Sequence, residues 1–168
     1  MISDKMQNAL NKQINAELLS AYLYLAMSLD AESKALKGIA NWFFIQWLEE
    51  QDHSRILQEY MNSRGAKVKL LPIEAVPNEW NDVFEMFDDA LAHEENVTEM
   101  ISNLALLARN ESDFATLSRL QWLIDEQVEE EQSVNDALAA LREMPIYLFD
   151  QMMAKRKYSQ ASPLKKED

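Results

Sequence analysis

The sequence predicts an all-α protein: a four-helix bundle with a long crossover between helices two and three and a short fifth helix. Three observations point there. Only 2 glycines and 4 prolines occur in 168 residues, while the strong helix formers Leu, Ala, Met, Glu and Gln are plentiful. Four segments of about 27 to 30 residues repeat apolar side chains at alternating three- and four-residue spacing, the pattern of a helix with one buried stripe. The links between these segments are short, long and short, which pairs them into two hairpins.

The first helix is expected over residues 3–31, opened by Ser3, whose hydroxyl can accept a backbone N–H. Its inward stripe is Leu10, Ile14, Glu17, Ala21, Tyr24 and Ser28. The second, residues 36–64, ends at Gly65, the residue type best suited to a left-handed stop. Its stripe is Phe43, Trp47, Glu50, Ser54, Leu57 and Met61. The following stretch, "GAKVKLLPIEAVPNEW", has two prolines and no helical period. It is long enough to travel the length of a bundle, so helices two and three should run parallel. The third helix, residues 81–109, presents Val83, Phe87, Ala90, Glu94, Val97, Ile101, Leu104 and Ala108. The fourth, residues 112–142, halts before Pro145 and presents Leu120, Leu123, Gln127, Glu130, Val134, Ala137 and Leu141. A fifth helix over residues 145–158 closes a single domain, residues 1–158. Its basic end, "AKRKY", reads as surface charge placed where the helix dipole favours it. The polar tail "SQASPLKKED", residues 159–168, should be loose.

Composition narrows the function. A net charge of -13 argues against direct nucleic-acid binding, which needs basic surface, and suits cations as ligands or steered substrates. With no cysteine, disulfides, thiolate metal sites and cysteine nucleophiles are excluded. The N-terminal stretch lacks the apolar core of a signal peptide, and "LLSAYLYLAMSL" is too short to span a bilayer. A cytoplasmic location with no membrane partner is the expectation.

The chemistry begins at "WLEEQDHSRI", residues 47–56, where Glu50 and His53 occupy a stripe that should be apolar. Every other long helix interrupts its stripe in the same way. Glu17, Glu50 and Glu94 lie about twelve residues into their helices, a depth of roughly 18 Å at 1.5 Å per residue. Glu130 lies one turn deeper, with Gln127 a turn before it. Folded as hairpins, the four glutamates meet at one level. A lone glutamate or acidic run ordinarily faces water; four at matched depth need a cause. An isolated buried carboxylate costs several kcal/mol or takes a proton, and crowded carboxylates raise one another's pKa. Multivalent cations remove both penalties, and carboxylate donors suit iron, manganese or magnesium. Glu-x-x-His on a bundle helix is the spacing that bridges and caps paired metals.

A second acidic group borders the first. Glu126 and Glu129 flank Glu130, and Glu49 sits beside Glu50, forming a more exposed cation site or exit route. Tyr24 and Trp122 have spacings that place them near the metals, where either can hydrogen-bond a ligand or give an electron. His93 points about 100 degrees away from Glu94 and is left out of the ligand set.

On "NKQINAELLSAYLYLAM", "WLEEQDHSRIL", "ALAHEENVTEMI" and "LQWLIDEQVEEEQSV" the whole chain resembles the prokaryotic non-haem ferritins. The resemblance implies a shell of 24 subunits that oxidises Fe(II) with dioxygen or peroxide at a di-iron centre and stores hydrated ferric oxide. By position it implies Glu17, Glu50 and His53 as ligands of one iron, Glu50 also bridging, and Glu94 and Glu130 as ligands of the other. Gln127 resembles a residue that touches oxygen or water near the centre, and Tyr24 and Trp122 resemble the aromatics that neighbour a third iron site. Glu49, Glu126, Glu129 and Glu130 match a third iron site. Haem-containing relatives carry a second Glu-x-x-His on helix four and a haem-ligating Met aligned with Asp52, so no haem is expected. Two alternatives stay open on residues alone: a non-storage di-iron oxidoreductase and a metal-free helical interaction protein.

Overall fold

The four striped segments fold as α1 (Asp4–Ser33), α2 (Lys37–Ser63), α3 (Val83–Asn110) and α4 (Phe114–Glu143), followed by α5 (Ile146–Met153) and a 3-10 turn, Ser162–Leu164. This computed structural model describes residues 2–164, and no strand occurs among them.

Side chains close three of the four long helices at their N-termini. Ser3 Oγ accepts from Met6 N at 3.0 Å, Asp82 from Glu85 N at 2.9 Å, and Asp113 from Thr116 N at 3.1 Å. Each bond satisfies one of the amides a helix start leaves unpaired. Leu36 cannot do this for α2. Asp150 supplies the acceptor from α5 instead, taking Ile39 N at 2.9 Å. The approach requires Gly38, because a Cβ there would lie 1.7 Å from the Asp150 carbonyl oxygen.

All three long-helix stops before α4 use a left-handed residue. Gly65 has φ +69°, as its type suggests, but Ala35 and Ser112 also adopt φ 59° and 57°. In each case the following amide closes a six-residue loop, Leu36 to Ala31, Ala66 to Met61 and Asp113 to Ala108. The fifth helix is shorter than the expected residues 145–158. It ends at Met153, and the "AKRKY" run leaves it to lie beside α2, where Arg156 bonds Glu49 and Tyr158 bonds Asp52.

The crossover runs along α1. Lys67 N donates to Gln7 Oε1, Lys69 N to Asn11 Oδ1, Asn15 Nδ2 to the Pro72 carbonyl, and Trp80 N to Asp30 Oδ2. The chain therefore travels from the start of α1 to its end before α3 begins, which makes α2 and α3 parallel.

Every predicted stripe position is buried except Trp47, which is half-buried. Trp42 and Gln46 take the inward directions beside it, and Trp47 packs on Phe44 at 4.9 Å between ring centroids. The apolar core divides in two. One part gathers Tyr24, Phe43, Phe87, Val134 and Phe149 at the α5 end; the other gathers Leu10, Ile14, Leu57, Ile101 and Leu120 at the far end. Each fully buried side chain of this kind contributes about 1.5–3 kcal/mol. Between the two parts lies a layer of buried polar groups: Glu17, Ser20, Gln46, Glu50, His53, Glu94, Gln127 and Glu130.

The polar tail is not loose over residues 159–164. Ala161 N donates to Asp52 Oδ2 at 2.9 Å, Tyr158 Oη donates to the same oxygen at 2.8 Å, and Leu164 is buried. A buried carboxylate on α2 thus anchors a segment whose own composition carries no sign of order. Residues 165–168 of the predicted tail lie outside the described residues.

Candidate metal centre

The polar layer takes one turn each of α1 and α4, two turns of α2 and Glu94 of α3. Heptad-like spacing brings Glu17 from α1 opposite Glu50 and His53 from α2, the latter pair sharing one face by their three-residue separation. One ligand atom from each of the three lies within 4.8 Å of the others. His53 Nδ1 is 3.4 Å from Glu50 Oε2 and 3.8 Å from Glu17 Oε2. These three atoms are buried and have no hydrogen-bond partner. Unmade bonds of this kind cost about 1–3 kcal/mol each, more where charge is involved. Two carboxylate oxygens and an imidazole nitrogen converging unpaired are the donor set of a divalent first-row cation, so the residues fit a metal.

His53 also belongs to a second group. With Glu126 and Glu130 of α4 it offers three ligand atoms within 4.8 Å of one another. Gln46 Nε2 donates to Glu130 Oε2 at 2.7 Å, and Gln13 Nε2 donates to Glu17 Oε1 at 2.7 Å. Each amide steadies one oxygen of a carboxylate and leaves the other for a ligand role.

Glu94 of α3 has both oxygens engaged. Tyr24 Oη donates to Oε1 in a short bond, and Gln127 Nε2 donates to Oε2 at 2.7 Å. It joins neither three-residue group, but its charge is felt across the layer. Burial pushes the Glu50 carboxyl well above the usual range, and the charges of Glu94 and Glu17 push the same way. Burial and the Glu130 charge raise Glu94 to about 7 against the donations from Tyr24 and Gln127. Glu17 goes the other way: burial would raise it, but His53 and Gln13 together hold it below the ordinary range. Burial likewise opposes charge on His53, yet Glu50 and Glu17 lift the ring well above its ordinary value. Burial and the Glu94 charge keep the Tyr24 phenol protonated far past neutrality. Glu50, Glu94 and His53 thus hold protons more tightly here than in water, and a cation binding among them would compete with those protons.

Outside it opens a cleft of about 380 Å³. Glu49, His53, Glu126, Glu129 and Glu130 line one side; Arg156 and residues 159–162 line the other. Glu126 is half-buried and Glu129 exposed. Burial lifts Glu49 to about 7 despite an ion pair of 2.6 Å with Arg156.

A model of the ferritin-like domain matches residues 7–144. The chain belongs to the ferritin-like family. It is 36% identical over 165 residues to a bacterial non-heme ferritin of Staphylococcus epidermidis, covering 95% of this chain and 99% of the relative. Another bacterial non-heme ferritin, from Staphylococcus aureus strain USA300, is 33% identical over 165 residues, with the same shares covered. Among solved structures, a novel open pore ferritin from the hyperthermophilic archaeon Archaeoglobus fulgidus superposes with a TM-score of 0.91 at 43% identity, covering 94% of this chain and 100% of that one.

For this ferritin-like chain the predicted ligand residues fall into two overlapping sets. Glu17, Glu50, His53, Glu94, Gln127 and Glu130 share the buried layer, Glu49, Glu126 and Glu129 rim the cleft outside it, and His53 and Glu130 face both. Trp122 meets His53 edge-on at 5.5 Å between centroids. His93 stays apart from both groups, paired with Ser20 Oγ at 2.7 Å. Three residues escaped the sequence reading. Gln13 and Gln46 stand one turn before Glu17 and Glu50, a signal available in the spacing. The sequence points to Arg156 as surface charge, but in the fold it bonds Glu49 and lies over the Trp42 ring at 4.7 Å; nothing local marks it, since its partners are over a hundred residues away.

Proposed function

We propose that the protein is a cytoplasmic iron-storage ferroxidase that assembles into a hollow shell of 24 copies. The reading rests on one observation: Glu17 Oε2, Glu50 Oε2 and His53 Nδ1 converge, buried and unpartnered, between two apolar half-cores. Fe(II) is the substrate. The chain's net charge of -13 draws it in. Glu17, Glu50 and His53 hold one ion, and Glu94 and Glu130 hold a second, with Glu50 between them. Two Fe(II) supply two electrons to one dioxygen, which with two protons leaves as hydrogen peroxide, and two Fe(III) remain. Carboxylates favour the ferric product because they are hard anionic donors, and Gln13, Gln46 and Gln127 hold them in place. Tyr24 fixes Glu94 and stands ready to give an electron. The outer carboxylates, Glu49, Glu126 and Glu129 with Glu130, receive a third ion on its way to the mineral of hydrated ferric oxide.

Aerobic addition of Fe(II) to metal-free protein tests this, with oxygen uptake, ferric absorbance and iron retained by a large particle followed together. Iron held far beyond the few ions that one chain's ligand groups bind supports storage. Oxidation with no retained iron would point instead to a non-storage di-iron oxidoreductase. No oxidation at all would remove both.

A further inference from the structure

We propose that Arg156 is a resident counter-ion of the outer carboxylate site, a positioning residue that occupies Glu49 and lowers the site's affinity for cations so that they pass on. This rests on the proposed ferroxidase reading, in which Glu49, Glu126, Glu129 and Glu130 receive an ion.

The geometry argues for a competitor rather than a brace. Arg156 Nη2 donates to Glu49 Oε2 at 2.6 Å with one arm only; Nη1 is buried and has no hydrogen-bond partner. A single-armed pair grips its carboxylate less firmly than the forked arrangement. The rest of the residue is held without Glu49. Asn41 Nδ2 donates to the Arg156 carbonyl at 3.1 Å, and the guanidinium lies over Trp42 at 4.7 Å. Asp52 ties down the segment beyond it through Tyr158 and Ala161. Glu49 can therefore exchange the arginine for a metal while the backbone around Arg156 stays in place. Glu49 faces the same cleft as Glu126, Glu129 and Glu130, so the positive charge sits at the cleft that a cation would enter.

The test is a calorimetric titration of assembled, metal-free protein with Zn(II), which binds without redox chemistry. The wild type should show tight inner sites and a weaker outer one. In Arg156→Gln and in Arg156→Met, which keeps the stem against Trp42, the outer event should tighten roughly tenfold, the size of one charge-assisted hydrogen bond. The inner events should stay unchanged. Adding Glu49→Gln to either variant should remove the gain, and Arg156→Lys, which retains the charge, should stay close to wild type. An outer affinity unchanged or weakened in both neutral variants would overturn the proposal, as would a gain that survives Glu49→Gln. Failure of both variants to assemble would also overturn it, since Arg156 would then be a structural brace. Absence of inner sites in the wild type would sink the ferroxidase reading itself, a different outcome.

Discussion

Metal-free protein should lose stability as pH rises from 5 to 7.5, and Glu94 supplies a magnitude. Its carboxyl rises from 4.5 to about 7 on folding. The folded state therefore holds this proton more tightly than the unfolded chain, and the stability it brings is complete below about 4.5 and lost as pH climbs through about 7. The difference between those values corresponds to about 3 kcal/mol at 1.36 kcal/mol per tenfold change in proton affinity. Glu50 and His53, both raised, push in the same direction. For a chain of this size the fall amounts to a drop in Tm on the order of 10 °C. Scanning calorimetry at fixed protein concentration, at pH 5 and 7.5, reads it directly. Zn(II)-loaded protein should show a much smaller drop, because the cation takes the place of the proton, and Glu94→Gln should shrink the drop in the metal-free state. A metal-free protein whose Tm holds level or rises across this window would refute the account of the buried layer.

Three further outcomes follow from packing and hydrogen bonding. Gly38→Ala should displace α5, since the new methyl group would overlap the Asp150 carbonyl; a loss of about 2 kcal/mol or more, seen in denaturant melts, is expected. Ala35→Gly should stabilise by about 1 kcal/mol, because its φ of 59° costs an L-residue what glycine does not incur; an unchanged or lower melting midpoint would contradict this. Tyr24→Phe removes the donor to a buried carboxylate oxygen, and about 1–3 kcal/mol of metal-free stability at pH 7.5 should go with it. The same variant should slow Fe(II) oxidation in stopped-flow absorbance.

Much of the fold was legible because helical stripes are local. Leu10, Phe87, Ile101 and Leu120 repeat at a spacing that names both the helix and its buried side, and Glu17, Glu50, Glu94 and Glu130 appear as faults in that repeat. Long-range partnerships were not legible. Trp47 belongs to its stripe by count, but Trp42 and Gln46 compete for the interior and displace it. Asp52 holding residues 158–161, and Arg156 on Glu49, depend on how α5 turns back over α2, which no repeat encodes. Ala35 and Ser112 take a backbone shape that their side chains disfavour, because the six-residue closures behind them demand it. Which oxygen each buried amide selects is also decided in space: Gln46 is spaced to serve Glu50, yet it bonds Glu130.

The division of the apolar interior into two masses bears on how the proposed storage cycle would run. Grease at both ends clamps the four rods, so the waist between them can be filled and emptied without the rods drifting apart. A centre at one end of the bundle would have to rebuild its shape with every load. Placed between two anchorages, the proposed centre would keep its dimensions as ions enter and leave, and affinity would go into choosing the ion rather than into holding the protein shut.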